Sequence, residues 1–298
     1  MHSSLPSLFA AALAFLLAVS SNESYSQDFV DDLEIKKSLQ KHLENLLEDT
    51  TIPSGASLIK QLRAQTPKAE GLALGKAPSP LAKPDGPLYD RLRSATMVVG
   101  NIYKCDKCDK WHTGTAGGVV LSPDGLLLTN YHVIDAKNPR IFGALSSEGE
   151  FYPIIKVVHA SKANDLALVQ LGKASDLAYA TLASDSQVGD SVYSVSHPDS
   201  HYFSFGAGAI TRFYLSPRGK TPLGQVNLNF AKGSSGAGVF NTNAELSGLI
   251  VSTKSIYYEA TKTEQKNLQM VVRSIVPLSS IRSLLSEAKL LDEISKSN

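Results

Sequence analysis

Two cysteines, Cys105 and Cys108, are all that 298 residues contain. No disulfide network can carry the fold, and a single intramolecular pair is the most that can form. Neither sign of charge is in excess: 29 Lys and Arg face 28 Asp and Glu, for a net charge of +1. No basic cluster interleaved with aromatics occurs, which argues against a nucleic-acid partner. The phosphate-cradling pattern G-x-x-x-x-G-K-[ST] is missing. So is the nucleophile elbow G-x-S-x-G, because Ala237 holds its last position. Internal repeats are absent too.

What is present begins with an apolar run. Leu8 to Val19 carries no charge and has the length of a signal-peptide core, short for a bilayer span. Met1 to Ser7 holds no Lys or Arg, which departs from the usual pattern. Residues 1–26 are read as a signal peptide, with cleavage after Ser20 or Ser26; an uncleaved anchor is the alternative. No cysteine lies near enough for a lipoprotein anchor. Either reading expects an exported protein, periplasmic or secreted. Residues 27–65 are expected to be a helical extension, since Leu33, Leu39, Leu43, Leu46 and Leu47 recur near helical spacing. Its role stays open between a pro-segment, a partner-binding arm, a stalk and a helical hairpin packed on the main domain. Residues 66–87, rich in Pro, Ala, Gly and Lys, are read as a linker.

From residue 88 to 298 one domain is expected, with a β texture from Ala95 on. Short apolar runs separated by turn signals predict strands near 97–99, 117–121, 126–128, 151–158, 166–171, 191–196, 209–214, 239–240, 249–253 and 270–276. The fold class is therefore all-β. A helix over about 279–294 closes the chain, with Ile281, Leu284, Leu285 and Leu290 on one face.

Three stretches carry candidate chemistry. Lys232 to Asn241 places Ser235 in a run of small residues, where Gly233 and Gly236 permit positive φ. Such a loop can aim several amide N–H groups at one point, as an oxyanion hole requires. A serine hydroxyl needs a neutral imidazole to accept its proton and a carboxylate to orient that imidazole. His132 stands at the polar end of the run Leu126 to Thr129, where loops carry function. Asp165 opens the apolar run Leu166 to Leu171, a place that also suits an ordinary turn residue. The chain order His132, Asp165, Ser235 differs from the Asp-His-Ser and Ser-Asp-His orders of two other hydrolase classes.

Taken together, Gly114 to Gly125, Thr129 to Val133, Asn164 to Leu168 and Gly233 to Gly236 resemble the chymotrypsin-like (trypsin-like) serine proteases. The likeness is to the bacterial Deg, or high-temperature-requirement, branch, here expected without a PDZ domain. It implies two six-stranded β-barrels with the site between them, and a serine endopeptidase acting through His132, Asp165 and Ser235. The same resemblance implies an oxyanion hole from the N–H groups of Gly233 and Ser235. It assigns substrate contacts to Asn229, Ser252, Thr253 and Lys254, with Ser252 bonding the Asp. Asn229 is neutral where an acid would select basic side chains. Two positions depart from the pattern: Ser234 stands where Asp or Asn is usual, and Ala237 where Gly is usual.

The remaining motif is Cys105-Asp106-Lys107-Cys108, with His112 shortly after. Asp109 follows the second cysteine, which excludes a c-type haem, and no βαβ pattern supports a redox motif. Zinc would find His112 but no further visible ligand. In an exported chain a Cys105–Cys108 disulfide is the expectation. No metal and no cofactor are expected, and the partners are polypeptide substrates. The competing reading is a binding or scaffold protein on a protease fold.

Overall fold

The computed structural model describes residues 29–64, 86–217, 219–261 and 263–291. The expected signal peptide and nearly all of the linker lie outside these residues. From Asp31 onward the chain forms one unit.

Twelve strands close into two six-stranded barrels, as the resemblance implied. The first contains β1 (Thr96–Lys104), β2 (Trp111–Val120), β3 (Leu126–Thr129), β4 (Ile141–Leu145), β5 (Phe151–Ser161) and β6 (Leu166–Leu171). Its strand order is β1-β2-β3-β6-β5-β4. The second contains β7 (Ser191–Ser196), β8 (Ser204–Leu215), β9 (Pro222–Val226), β10 (Gly238–Phe240), β11 (Leu246–Ala260) and β12 (Gln265–Pro277). Its order is β10-β11-β12-β9-β8-β7.

Closure follows from burial on both sides. β3 reads Leu-Leu-Leu-Thr and every residue is buried, because Leu126 and Leu128 face one core cluster and Leu127 faces another. A strand covered on both faces must be apolar throughout, whereas a half-exposed one alternates. One continuous cluster joins Val98, Val119 and Leu128 of the first barrel to Phe240, Leu246, Leu249 and Val276 of the second. The barrels are thus fixed to each other by shared apolar burial rather than by a flexible hinge.

Helices complete the unit. The extension forms α1 (Asp32–Asn45) and α2 (Gly55–Ala64), and both lie on the first barrel. Asp31 caps α1 by accepting the Glu34 N–H at 2.9 Å. Leu39 and Leu43, one turn apart, are buried in the shared core. The Asp32 carboxylate accepts the Tyr202 N–H from the second barrel at 2.8 Å. On α2, Leu58 and Leu62 are buried against the first barrel, and Gln61 accepts the Val157 N–H at 2.9 Å. Both helices of the extension therefore pack on the first barrel. Next come α3 (Leu88–Ser94), the single turn α4 (Tyr131–Ile134) and α5 (Leu278–Glu287). The last starts where expected, and residues 292–298 lie outside the description.

Candidate active site

His132 lies on α4, immediately after β3 ends. The strand's last residue, Thr129, is buried, and Asn130 turns the chain with extended backbone into α4, which buries Tyr131, Val133 and Ile134 and leaves His132 exposed. Asp165 lies just before β6, the strand hydrogen-bonded to β3, and takes a left-handed φ of 53°. Neighbouring strands therefore deliver the two side chains to one spot. The Asp165 carboxylate accepts twice from one residue: Oδ2 lies 2.7 Å from His132 Nδ1, and Oδ1 accepts the His132 N–H at 3.0 Å. Asn130 secures the same turn by donating to the Asp165 carbonyl at 2.9 Å. With Nδ1–H given to the carboxylate, Nε2 is left as the acceptor, which is the tautomer a general base needs. The pair is open to solvent, with the His132 side chain 50% and the Asp165 side chain 29% exposed.

Ser235 comes from the second barrel, in the turn before β10. Its carbonyl accepts the Gly117 N–H of β2 at 2.7 Å, so the turn is fastened to the first barrel. Gly236 has φ +84°, and a Cβ there would fall 2.3 Å from both the Gly117 carbonyl and Thr129 Oγ1. Only glycine fits at that distance. Because Thr129 is three residues before His132, this contact brings the serine turn to the histidine turn. Ala237, the departure noted in the sequence, fits for a complementary reason. It is fully buried, and a Cβ on Gly117 would overlap it at 2.8 Å, so the missing side chain of one residue makes room for the other.

Gly233 has φ +97° and presses against the carbonyl of His197, where a Cβ would come within 2.5 Å. The Lys232 carbonyl accepts the Asp199 N–H at 2.6 Å. Among the described residues no protein acceptor takes the N–H of Gly233 or of Ser235. The Ser234 hydroxyl is buried and has no hydrogen-bond partner among the described residues.

His197, which the sequence reading passed over, supports this loop from behind. It is completely buried. Its Nδ1 accepts the Phe203 N–H at 3.1 Å, so Nε2 carries the proton donated to the Met97 carbonyl at 3.2 Å. Burial pushes the imidazole down to about 4. The available signal was a histidine directly after an apolar strand and directly before Pro198, a strand-to-turn junction.

The other expected positions divide. Asn229 is exposed in the stretch after β9. Ser252, Thr253 and Lys254 are exposed along β11, opposite Ser274, Arg273 and Val272. The hydrogen bond expected between Ser252 and the aspartate is not found. Among the described residues the Asp165 carboxylate is bonded by His132 alone.

The cysteines also differ from expectation. Cys105 and Cys108 are free thiols with sulfurs 3.5 Å apart, not a disulfide. His112 Nε2 lies 3.1 Å from Cys108 Sγ. The Lys107 N–H, then the Cys108 thiol and N–H, hold the Cys105 thiol below its ordinary value.

Residues 115–249 match the trypsin-like peptidase domain family. Among curated relatives, a probable periplasmic serine endoprotease, DegP-like, of Rickettsia prowazekii (strain Madrid E) is 28% identical over 144 residues. That match covers 44% of this chain and 27% of the relative. A protein of the same description from Hahella chejuensis (strain KCTC 2396) is 29% identical over 139 residues, covering 45% and 29%. A third, from Pseudomonas savastanoi pv. phaseolicola (strain 1448A / Race 6), is 30% identical over 142 residues, covering 44% and 28%. The matches thus span under a third of these relatives' length. Among solved structures, an HtrA-type protease AlgW with decapeptide superposes with a TM-score of 0.54 at 15% identity. It covers 67% of this chain and 65% of that one, and speaks for the fold alone. The resemblance to chymotrypsin-like proteins of the Deg/HtrA branch is therefore found in both sequence and fold.

Proposed function

We propose that the protein is a serine endopeptidase that cleaves exported polypeptides by acyl transfer. The observation that carries this reading is the 2.7 Å contact of His132 Nδ1 with Asp165, placed beside a serine turn fastened to the same barrel. Ser235 Oγ attacks the scissile carbonyl while His132 Nε2 accepts its proton. Asp165 holds the tautomer and stabilises the imidazolium. The N–H groups of Gly233 and Ser235 receive the oxyanion; one such donor is worth ~10²–10³ in turnover. His132 then returns the proton to the leaving amine, and water releases the acyl group by the same path. Substrate laid over the half-exposed pair would exclude water and strengthen each of these interactions.

The trypsin-like family match and the periplasmic DegP-like relatives support peptide-bond chemistry and export. Asn229 supplies no carboxylate for a basic side chain, and an unpaired cation is costly to bury. Small or apolar residues before the scissile bond are therefore favoured. A peptide library incubated with the protein and with Ser235→Ala tests this. Cleavage should vanish in the variant and avoid Lys and Arg. Equal cleavage by both proteins would refute the mechanism, and a dominant Arg or Lys would refute the specificity.

A further inference from the structure

The tip of the β1–β2 hairpin, outside the candidate active site, gathers three metal-binding side chains. Cys105 and Cys108 sit in the loop, and His112 is the second residue of β2, paired in register with Tyr103. The two sulfurs and His112 Nε2 all lie within 4.8 Å of one another. Tetrahedral zinc with Zn–S of about 2.3 Å and Zn–N of about 2.0–2.1 Å sets S···S near 3.8 Å and S···N near 3.6 Å. The observed 3.5 Å and 3.1 Å need only small outward shifts of side chains at an exposed tip.

Independent features point the same way. The Tyr103 ring lies 5.6 Å from the His112 ring and limits where the imidazole can turn. The hairpin itself is fully paired up to Lys104 and Trp111, so the loop's ends are held together before any ligand binds. The carboxylate of Asp106 points instead toward Lys137 Nζ at 3.7 Å, leaving the three-ligand set intact.

We propose that Cys105, Cys108 and His112 form a zinc(II) site that clips the hairpin tip, with solvent as the fourth ligand. Two thiols and a neutral imidazole bind one Zn²⁺ and release two protons, with no change of oxidation state. Two thiolates and an imidazole favour zinc over magnesium or calcium, which take oxygen ligands.

The test uses the full chain, exported and purified without chelator. Bound zinc is measured by elemental analysis, and Co²⁺ is then substituted and its spectrum recorded. One zinc per chain is expected, and the cobalt form should show thiolate-to-metal charge transfer in the near ultraviolet. Cys105→Ser and Cys108→Ser should each lose the band, and His112→Ala should weaken binding by at least ~10-fold. Alkylating both thiols of the unmutated protein should also abolish binding, a readout that does not depend on how a variant folds. Recovery of both cysteines as a disulfide without zinc would overturn the proposal. So would zinc binding that survives alkylation, or a cobalt form without the band.

Discussion

Acidification should loosen the loop that carries Gly233, through one buried imidazole. His197 is fully buried, with both ring nitrogens bonded in the neutral form, and burial lowers it from 6.5 to about 4. In the unfolded chain it returns to about 6.5. Between those values the unfolded state binds one more proton than the folded state, so this group's contribution rises with pH. It is complete above about pH 6.5 and is lost as pH falls to about 4. A gap of about 2.5 pH units corresponds to about 3 kcal/mol. Going from pH 7 to pH 4.5 should therefore remove about 2–3 kcal/mol through His197 alone. Urea unfolding would measure this, with Ser235→Ala as the background to prevent self-digestion. His197→Asn in the same background cannot take up the proton. Carboxylates contribute alike in both proteins, so the difference in their pH dependence isolates the imidazole. The parent should lose the additional 2–3 kcal/mol, and equal losses in the two proteins would refute the reasoning.

Other outcomes follow from the same contacts. Gly236→Ala drives a Cβ into the Gly117 carbonyl and Thr129 Oγ1, so Ser235 must shift, and peptide turnover should fall by ~10²-fold or more in a protein that still folds; unchanged turnover would contradict that fit. Asp165→Asn keeps the shape but not the tautomer and should cost ~10⁴-fold in kcat, while a loss under ~10-fold would remove Asp165 from the mechanism. Leu39→Ala empties a wholly buried site shared by the helical extension and the barrels, and should cost about 2–5 kcal/mol in thermal or urea unfolding. A cost below ~1 kcal/mol would mean that α1 is not part of the cooperative unit.

Much of this was legible in the sequence because chemistry and punctuation coincided. His132 and Asp165 each bracket a continuously apolar run, and β3 and β6 read as strands because both faces are covered. Several strands were harder. Ile141–Leu145 contains a glycine and follows loop residues, so β4 gave no alternation to count. The outer halves of β11 and β12 are largely exposed, mix polar residues with apolar ones such as Ile256 and Leu268, and pair with each other along their length, so they show no one-sided apolar pattern. His197 was missed because nothing in its immediate neighbours says that a loop from more than thirty residues later will close over it. The sequence suggested a disulfide for the cysteine pair, and the structure has the two thiols free and 3.5 Å apart, with the pairing of β1 and β2 carrying His112 to the same turn. Ser252 was placed by analogy; it stands exposed on β11 just past the irregularity between Ile250 and Ser252, and no hydrogen bond joins it to Asp165.

The central claim is that Ser235 is made nucleophilic by His132 and Asp165. It is tested most directly by a fluorophosphonate probe on the folded protein, with the modified residue located by mass spectrometry. A single adduct on Ser235 is expected, formed far more slowly in His132→Ala. Labelling elsewhere, or no labelling of a folded protein, would contradict the account.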